Sequence, residues 1–264
     1  MTTTLFGDLA GDLTGEPGRT PPLVLLHGLT FDRTSWHPVL AELTALDPGR
    51  QVLALDLPGH GESPPWARYD LEPVAGAVHR AVTGAGLSPP VLVGHSAGGV
   101  IATIYAARYP AAGVVNVDQP LQVEAFARLV RSLAGPLRGP GFARVWEQFE
   151  VSMGIGLLPQ DVQELLRSHR HVRQDLVTGY WREVLDEPPG ELARKTADGL
   201  AALRDAKMPY LFVAGHNPGP EYLDWQHHEL PQGEVTVWPG SGHFPHLAQP
   251  GRFAELLAGT ARWA

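Results

Sequence analysis

The stretch Gly94-His95-Ser96-Ala97-Gly98 limits the folds open to this chain more than any other. It follows a short apolar run, Pro90-Val91-Leu92-Val93, and opens a run of small and apolar residues, Val100 to Arg108, that stops before Pro110, since proline cannot continue a helix. The order is strand, sharp turn, helix. A serine at the tip of such a turn takes a strained backbone geometry, and the glycines two residues to either side leave room that a Cβ would fill. The turn also sets Ser96 at a helix N-terminus, where exposed N–H groups and the helix dipole favour a developing negative charge. Two glycines around a serine also make ordinary turns, so Ser96 is a candidate nucleophile whose partners must be sought elsewhere in the chain.

Other segments repeat the strand signal. Leu23-Val24-Leu25-Leu26, Val52-Leu53-Ala54-Leu55, Val91 to Val93 and Val114-Val115-Asn116-Val117 are short apolar runs of the kind buried on both faces of a parallel sheet. A Gly-rich lead-in from Thr3 to Leu13 has room for one or two edge strands. Helical spacing lies between the runs, at Trp36 to Leu46 and Leu71 to Ala85. The alternation predicts an α/β fold, a mostly parallel twisted sheet with helices on both faces.

That rhythm breaks between Gln119 and about Lys207. Patterns such as Val123-Phe126-Ala127-Val130 and Val162-Leu165-Leu166 read as helices, separated by Gly135-Pro136, Gly139-Pro140-Gly141 and Pro188-Pro189-Gly190. Residues 119–207 are therefore expected to form an inserted helical cap over a core made of residues 1–118 and 208–264. Strands resume at Tyr210 to Ala214 and Val235 to Trp238, and an amphipathic helix through Phe253, Leu256 and Leu257 closes the chain.

With 20 Lys+Arg against 28 Asp+Glu the formal charge is −8, which argues against nucleic acid or an anionic membrane as a partner. The chain has no cysteine, so disulfides, thiolate catalysis and thiolate metal sites are excluded. Met1 to Asp8 lacks a basic and an apolar region, and no run approaches the length of a membrane span. The expectation is a cytoplasmic protein, monomer or homodimer, acting on a small molecule without cofactor or metal.

Four motifs occur in order: His27-Gly28 after the first long strand, Asp56-Leu57-Pro58-Gly59-His60-Gly61-Glu62-Ser63, Gly94-His95-Ser96-Ala97-Gly98, and Gly242-His243 before the last helix. In this order they resemble α/β-hydrolase-fold enzymes of the cap-bearing esterase, lactonase and C–C hydrolase type, over essentially the whole chain. The resemblance implies Ser96 as nucleophile, His243 as base, and an oxyanion hole from the backbone N–H groups of Leu29 and Ala97. The chemistry agrees, because a serine hydroxyl needs a neighbouring base and histidine has the right pKa. His243 lies in a Gly-flanked loop just past a strand end. His95 occupies the variable position of the turn, His60 reads as loop packing and His27 as a residue shaping the oxyanion loop. His216, His227, His228 and His246 show no metal-ligand spacing.

The third member departs from the family pattern. Most relatives carry an aspartate in a Gly-x-x-Asp segment after the penultimate strand, where this chain reads Gly215-His216-Asn217-Pro218. Some lactonases and dehalogenases of the family carry the acid one strand earlier, and Asp118 in Val117-Asp118-Gln119-Pro120 stands there. Asp118 is thus the expected acid, holding the imidazole tautomer; the plainer reading makes it a cap for the following helix, and Asp224 and Glu221 remain alternatives. A serine at the turn argues against dehalogenase and epoxide hydrolase chemistry, which in this fold use an aspartate nucleophile.

Trp146, Phe149, Met153, Tyr180 and Trp181 are candidate lining for an apolar substrate pocket, though aromatics at such spacing also pack helices together. The cluster Arg167-Ser168-His169-Arg170-His171-Val172-Arg173 could meet an acidic substrate group, but reads more readily as a solvated helix face. A C–C hydrolase or cofactor-free perhydrolase would use the same residues, and a non-catalytic ligand-binding member of the fold is the reading from a different class.

Overall fold

The apolar runs pair into one eight-stranded sheet in the computed structural model, which describes residues 4–188 and 190–263. Up to the break in rhythm the elements are β1 (Leu5–Phe6), β2 (Leu9–Thr14), β3 (Leu23–Leu26), α1 (His37–Leu46), β4 (Val52–Leu55), α2 (Leu71–Gly84), β5 (Val91–His95), α3 (Ala97–Arg108) and β6 (Gly113–Val117). Only helices follow among the described residues to Asp205: α4 (Glu124–Ser132), α5 (Ala134–Arg138), α6 (Phe142–Met153), α7 (Gln160–Ser168), α8 (Gln174–Tyr180), α9 (Arg182–Asp186) and α10 (Glu191–Asp205). The chain ends with β7 (Tyr210–Ala214), α11 (Pro220–Glu229), β8 (Glu234–Val237), α12 (Pro245–Ala248) and α13 (Pro250–Gly259). Thr3, where the lead-in was expected to begin, and Pro189 lie outside the described residues.

Strand order is β1-β2-β4-β3-β5-β6-β7-β8. β3 to β8 run parallel, and β1 and β2 add an antiparallel edge. The apolar runs become the buried central strands because helices cover both faces. On one face Trp36, just before α1, joins Val39 of α1 and Phe253 and Leu257 of α13 in burial against Leu23, Leu25 and Val93. On the other, α2 presents Val74, Ala77, Val78 and Ala81 at three- and four-residue spacing. Pro73 sits in its first turn, where a missing N–H breaks no helical bond. α3 is buried on most sides, and its Gly98, Gly99, Ala102 and Ala106 let it lie close to β5, β6, α2 and α10.

Register sets up the site. Gly94 of β5 pairs with Leu26 on one side and Asn116 on the other. The ladder continues just past the strands: Ser96 N–H donates to Val117 O at 3.0 Å, Asp118 N–H to Val213 O at 2.8 Å, and Trp238 N–H to Ala214 O at 2.7 Å. The residues following β5, β6 and β7 therefore emerge side by side at the carboxyl edge, where ligands collect in such sheets. Among the described residues no helix is long and apolar enough to cross a membrane.

Candidate active site

The turn after β5 holds Ser96 at φ 52° and ψ −122°, a conformation uncommon for a residue with a side chain. Close approach at both flanking positions explains the pattern of glycines. A Cβ on Gly94 would come 2.1 Å from Gly98 O, and one on Gly98 would come 2.3 Å from Leu26 O. Ala97 begins α3, so its N–H has no acceptor within the helix and faces the same end as Ser96.

Asp118, directly after β6, also has a positive φ of 51°. Its carboxylate is buried at 2% exposure and has a partner on each oxygen. Oδ1 accepts the Gly215 N–H at 2.7 Å, and Oδ2 accepts the His243 Nδ1–H at 2.8 Å. The plainer reading of Asp118 as a helix cap fails, because α4 starts at Glu124 behind Val123 with no side-chain cap. With Nδ1 carrying the proton, the lone pair of His243 lies on Nε2, the nitrogen a base needs. His243 is itself fixed from two sides: its N–H donates to Met153 O at 2.9 Å, and its carbonyl accepts from His95 Nε2–H at 2.8 Å.

The segment after β7, where the resemblance implied an acid, has another use here. Gly215 supplies the N–H that holds Asp118, and a Cβ on it would come 1.7 Å from Gly242 O. Only glycine can lie against the loop that carries His243. His216 is largely exposed, with Nδ1 3.8 Å from Asp118 Oδ1. Asp224 is exposed on α11, and Glu221 occupies the first turn of that helix.

The loop after β3 brings Gly28 against the serine turn, where a Cβ would lie 3.3 Å from Ser96 Cβ. Two buried histidines shape this loop. His27 donates from Nδ1 to Gly28 O at 2.8 Å and accepts the Leu57 N–H on Nε2 at 3.0 Å. His60, expected only to pack, accepts the Thr30 N–H on Nε2 at 3.1 Å and donates from Nδ1 to Pro58 O at 3.1 Å. Burial pushes the pKa of His27, His60 and His95 down, and that of His246 down to about 3. All four are thus neutral at pH 7, as the acceptor roles of His27 and His60 require.

The Asp56–Ser63 motif is scaffolding for this edge. Buried Asp56 accepts the backbone N–H groups of Arg33 and Glu62, each at 2.8 Å, and pairs with the Arg33 guanidinium. Ser63 Oγ donates to Asp56 O at 2.7 Å and accepts the Ala10 N–H of β2 at 2.8 Å. Nothing in the sequence pattern alone separated these supporting roles from chemical ones.

Of the expected pocket residues, three aromatics meet in one cluster: Trp181 lies 5.8 Å from Trp146 and 5.2 Å from Phe149, ring centre to ring centre. Trp146 is buried and donates from Nε1 to Glu150 Oε1 at 3.1 Å. Met153 reaches the site through its carbonyl bond to His243. Tyr180 joins the core side, donating to Pro58 O at 2.9 Å. Among the described residues no group of three His, Asp or Glu side chains is placed to hold a metal ion.

Sheet topology, the strained serine and the histidine–carboxylate pair define a hydrolase-type α/β protein. A family model for the alpha/beta hydrolase family matches residues 23–256, and the chain belongs to that family. It is 27% identical to mouse sn-1-specific diacylglycerol lipase ABHD11 over 275 residues, covering 94% of this chain and 82% of that one. It is 24% identical to the pimeloyl-[acyl-carrier protein] methyl ester esterase of Yersinia enterocolitica, covering 91% and 93%. The structure of a thermophilic esterase from Thermogutta terrifontis superposes with a TM-score of 0.73 at 25% identity, covering 96% and 93%.

Proposed function

We propose that this chain is a serine hydrolase that cleaves a carboxylic ester or lactone of a small, largely apolar substrate through an acyl-enzyme. Ser96 Oγ attacks the carbonyl carbon while His243 Nε2 takes its proton. The carbonyl oxygen becomes an oxyanion held by the N–H groups of Leu29 and Ala97. His243 then protonates the departing alkoxide, and a water activated by the same imidazole releases the acid and regenerates Ser96. Asp118 keeps His243 in the Nδ1–H tautomer and stabilises the imidazolium.

The observation that carries this reading is the 2.8 Å bond from His243 Nδ1 to a buried Asp118 carboxylate one strand away from a serine with positive φ. In the same reading residues 119–207 act as a cap in the cytoplasmic enzyme, and the cluster of Trp146, Phe149 and Trp181 with Met153 supplies the apolar side of the pocket. Relatives whose names specify ester and methyl ester substrates support the ester bond as the target.

Hydrolysis of p-nitrophenyl acetate, butyrate and octanoate and of a δ-lactone tests the proposal. Wild type should turn over at least one of them, and Ser96→Ala should lower kcat by about 10⁴-fold or more. A folded wild type inert on all four, or a Ser96→Ala protein as active as wild type, would sink it.

A further inference from the structure

Thr30 is the third residue with a side chain at the sheet edge to take a positive φ, at 71°. It follows Leu29, whose N–H the proposed reaction uses, and both polar groups of its backbone are held. Its N–H donates to His60 Nε2 at 3.1 Å, and its carbonyl accepts the N–H of His171, from the helical stretch 119–207, at 2.6 Å. His60 is locked in turn. Its Nδ1–H bonds Pro58 O, and the same carbonyl accepts the hydroxyl of Tyr180 at 2.9 Å. The Tyr180 ring stands edge-on to the His60 imidazole at 5.2 Å. Two residues past Thr30, Asp32 Oδ2 lies 3.5 Å from both His169 Nδ1 and His171 Nε2.

A non-glycine residue in this conformation persists only where its surroundings over-determine it. Here the surroundings come from two sources, an imidazole of the core and a peptide of the helical stretch. We propose that His60 and the His171 peptide clamp Thr30 and so position the Leu29 N–H, which makes His60 a positioning residue and completes the oxyanion site only when segment 169–171 lies on the core. The inference rests on the hydrolase reading for its consequence in catalysis, while the clamp itself is a statement about structure. It also gives the helical stretch a role beyond covering the pocket, since its His171 peptide holds the residue next to the donor that stabilises the transition state.

Four variants and two readouts test it. His60→Phe keeps an aromatic ring beside Tyr180 but deletes the acceptor, and His60→Gln offers an amide oxygen to Thr30. His171→Pro deletes the N–H donor, and His171→Ala keeps it. Amide exchange of the peptide spanning residues 28–33 should speed up roughly tenfold in His60→Phe and His171→Pro and stay near wild type in His171→Ala. With a p-nitrophenyl ester, both donor- or acceptor-deleting variants should lose about 10- to 100-fold in kcat with little change in KM, and His60→Gln should recover part of the loss. Affinity for a butyl trifluoromethyl ketone, whose serine adduct places an oxyanion in the same site, should fall by the same factor as kcat.

Unchanged exchange at 28–33 in folded His60→Phe and His171→Pro would overturn the clamp whatever the activity. Faster exchange with wild-type kcat would overturn its role in the oxyanion site. Should His60→Phe fail to fold, the His171 pair alone decides by the same two readouts. Absence of ester turnover in wild type would instead overturn the hydrolase reading, with the exchange measurement still deciding the clamp.

Discussion

Two neighbouring turns, after β6 and after β7, share a sheet edge and contribute different groups to one hydrogen-bonded cluster. The turn after β6 carries a carboxylate at positive φ, and the turn after β7 carries a glycine that lends its N–H to that carboxylate. The two turns thus give His243 a buried carboxylate 2.8 Å from Nδ1, fixed on its other oxygen by the neighbouring strand end. Adjacent parallel strands end within reach of the same point, so on the proposed reading an acid after β6 serves the imidazole while the turn after β7 supplies the donor that holds it.

Removing the carboxylate breaks the comparison most directly. Asp118→Asn should lower kcat by about 10³–10⁴-fold, since an amide favours the wrong imidazole tautomer, whereas Asp224→Asn, exposed on α11, should stay within about threefold; steady-state kinetics on one ester measures both. A large loss in Asp224→Asn with a small one in Asp118→Asn would return the acid to the far side of β7.

Next in size is the dependence of stability on acid. Around the same sheet edge lie the buried His27, His60, His95 and His246, each with its pKa pushed below 6.5 chiefly by burial. Above pH 6.5 these imidazoles are neutral whether the chain is folded or not. As pH falls the unfolded chain takes up protons that the folded chain refuses, so stability declines from pH 6.5 toward the folded values, about 3 for His246. Each histidine contributes a slope of up to about 1.4 kcal/mol per pH unit. Urea melts between pH 7 and pH 4.5 should show this fall. His246→Leu should remove one proton's worth of slope, and it should raise stability at pH 7 by about 1 kcal/mol, because neither ring nitrogen has a hydrogen-bond partner among the described residues.

Gly215→Ala sharpens the role of the turn after β7. Its Cβ has no space against Gly242 O, so the variant should be destabilised by about 2–3 kcal/mol in denaturant melts and should displace the His243 loop, lowering kcat as well. The smallest effect belongs to the exposed neighbour of Asp118: His216→Ala, 3.8 Å from Asp118 Oδ1 and largely in solvent, should change kcat less than about fivefold in steady-state assays.

Much of this edge was legible from residue patterns. The glycines around Ser96 announced a turn with no room for side chains, and the spacing of apolar runs placed four of the strands that lead to it. The contact between Asp118 and His243 was foreshadowed by the resemblance, which places an acid after this strand where Gly215-His216-Asn217-Pro218 holds none. What stayed hidden were contacts made through backbone groups. That His60 accepts from Thr30, that His95 holds the carbonyl of His243, and that Gly215 donates to Asp118 depend on which peptide groups tertiary packing brings near a ring or carboxylate. Period and propensity carry no record of that. The aromatic residues of α6 and Trp181 had the spacing of a pocket and of helix packing alike, and their mutual ring contact is the part that spacing foretold.

The bond from His243 N–H to the carbonyl of Met153 joins the last residue of α6 to the proposed base. A carbonyl at a helix C-terminus lacks a partner within its own helix, and here the partner is a peptide of the histidine loop. The helical stretch is therefore not an interchangeable part. A chimera that grafts this segment from a relative onto the present sheet would inherit a new substrate preference only if the graft ends α6 in register with His243. A graft one residue longer or shorter there would unmoor the histidine, however well its side chains fitted the substrate.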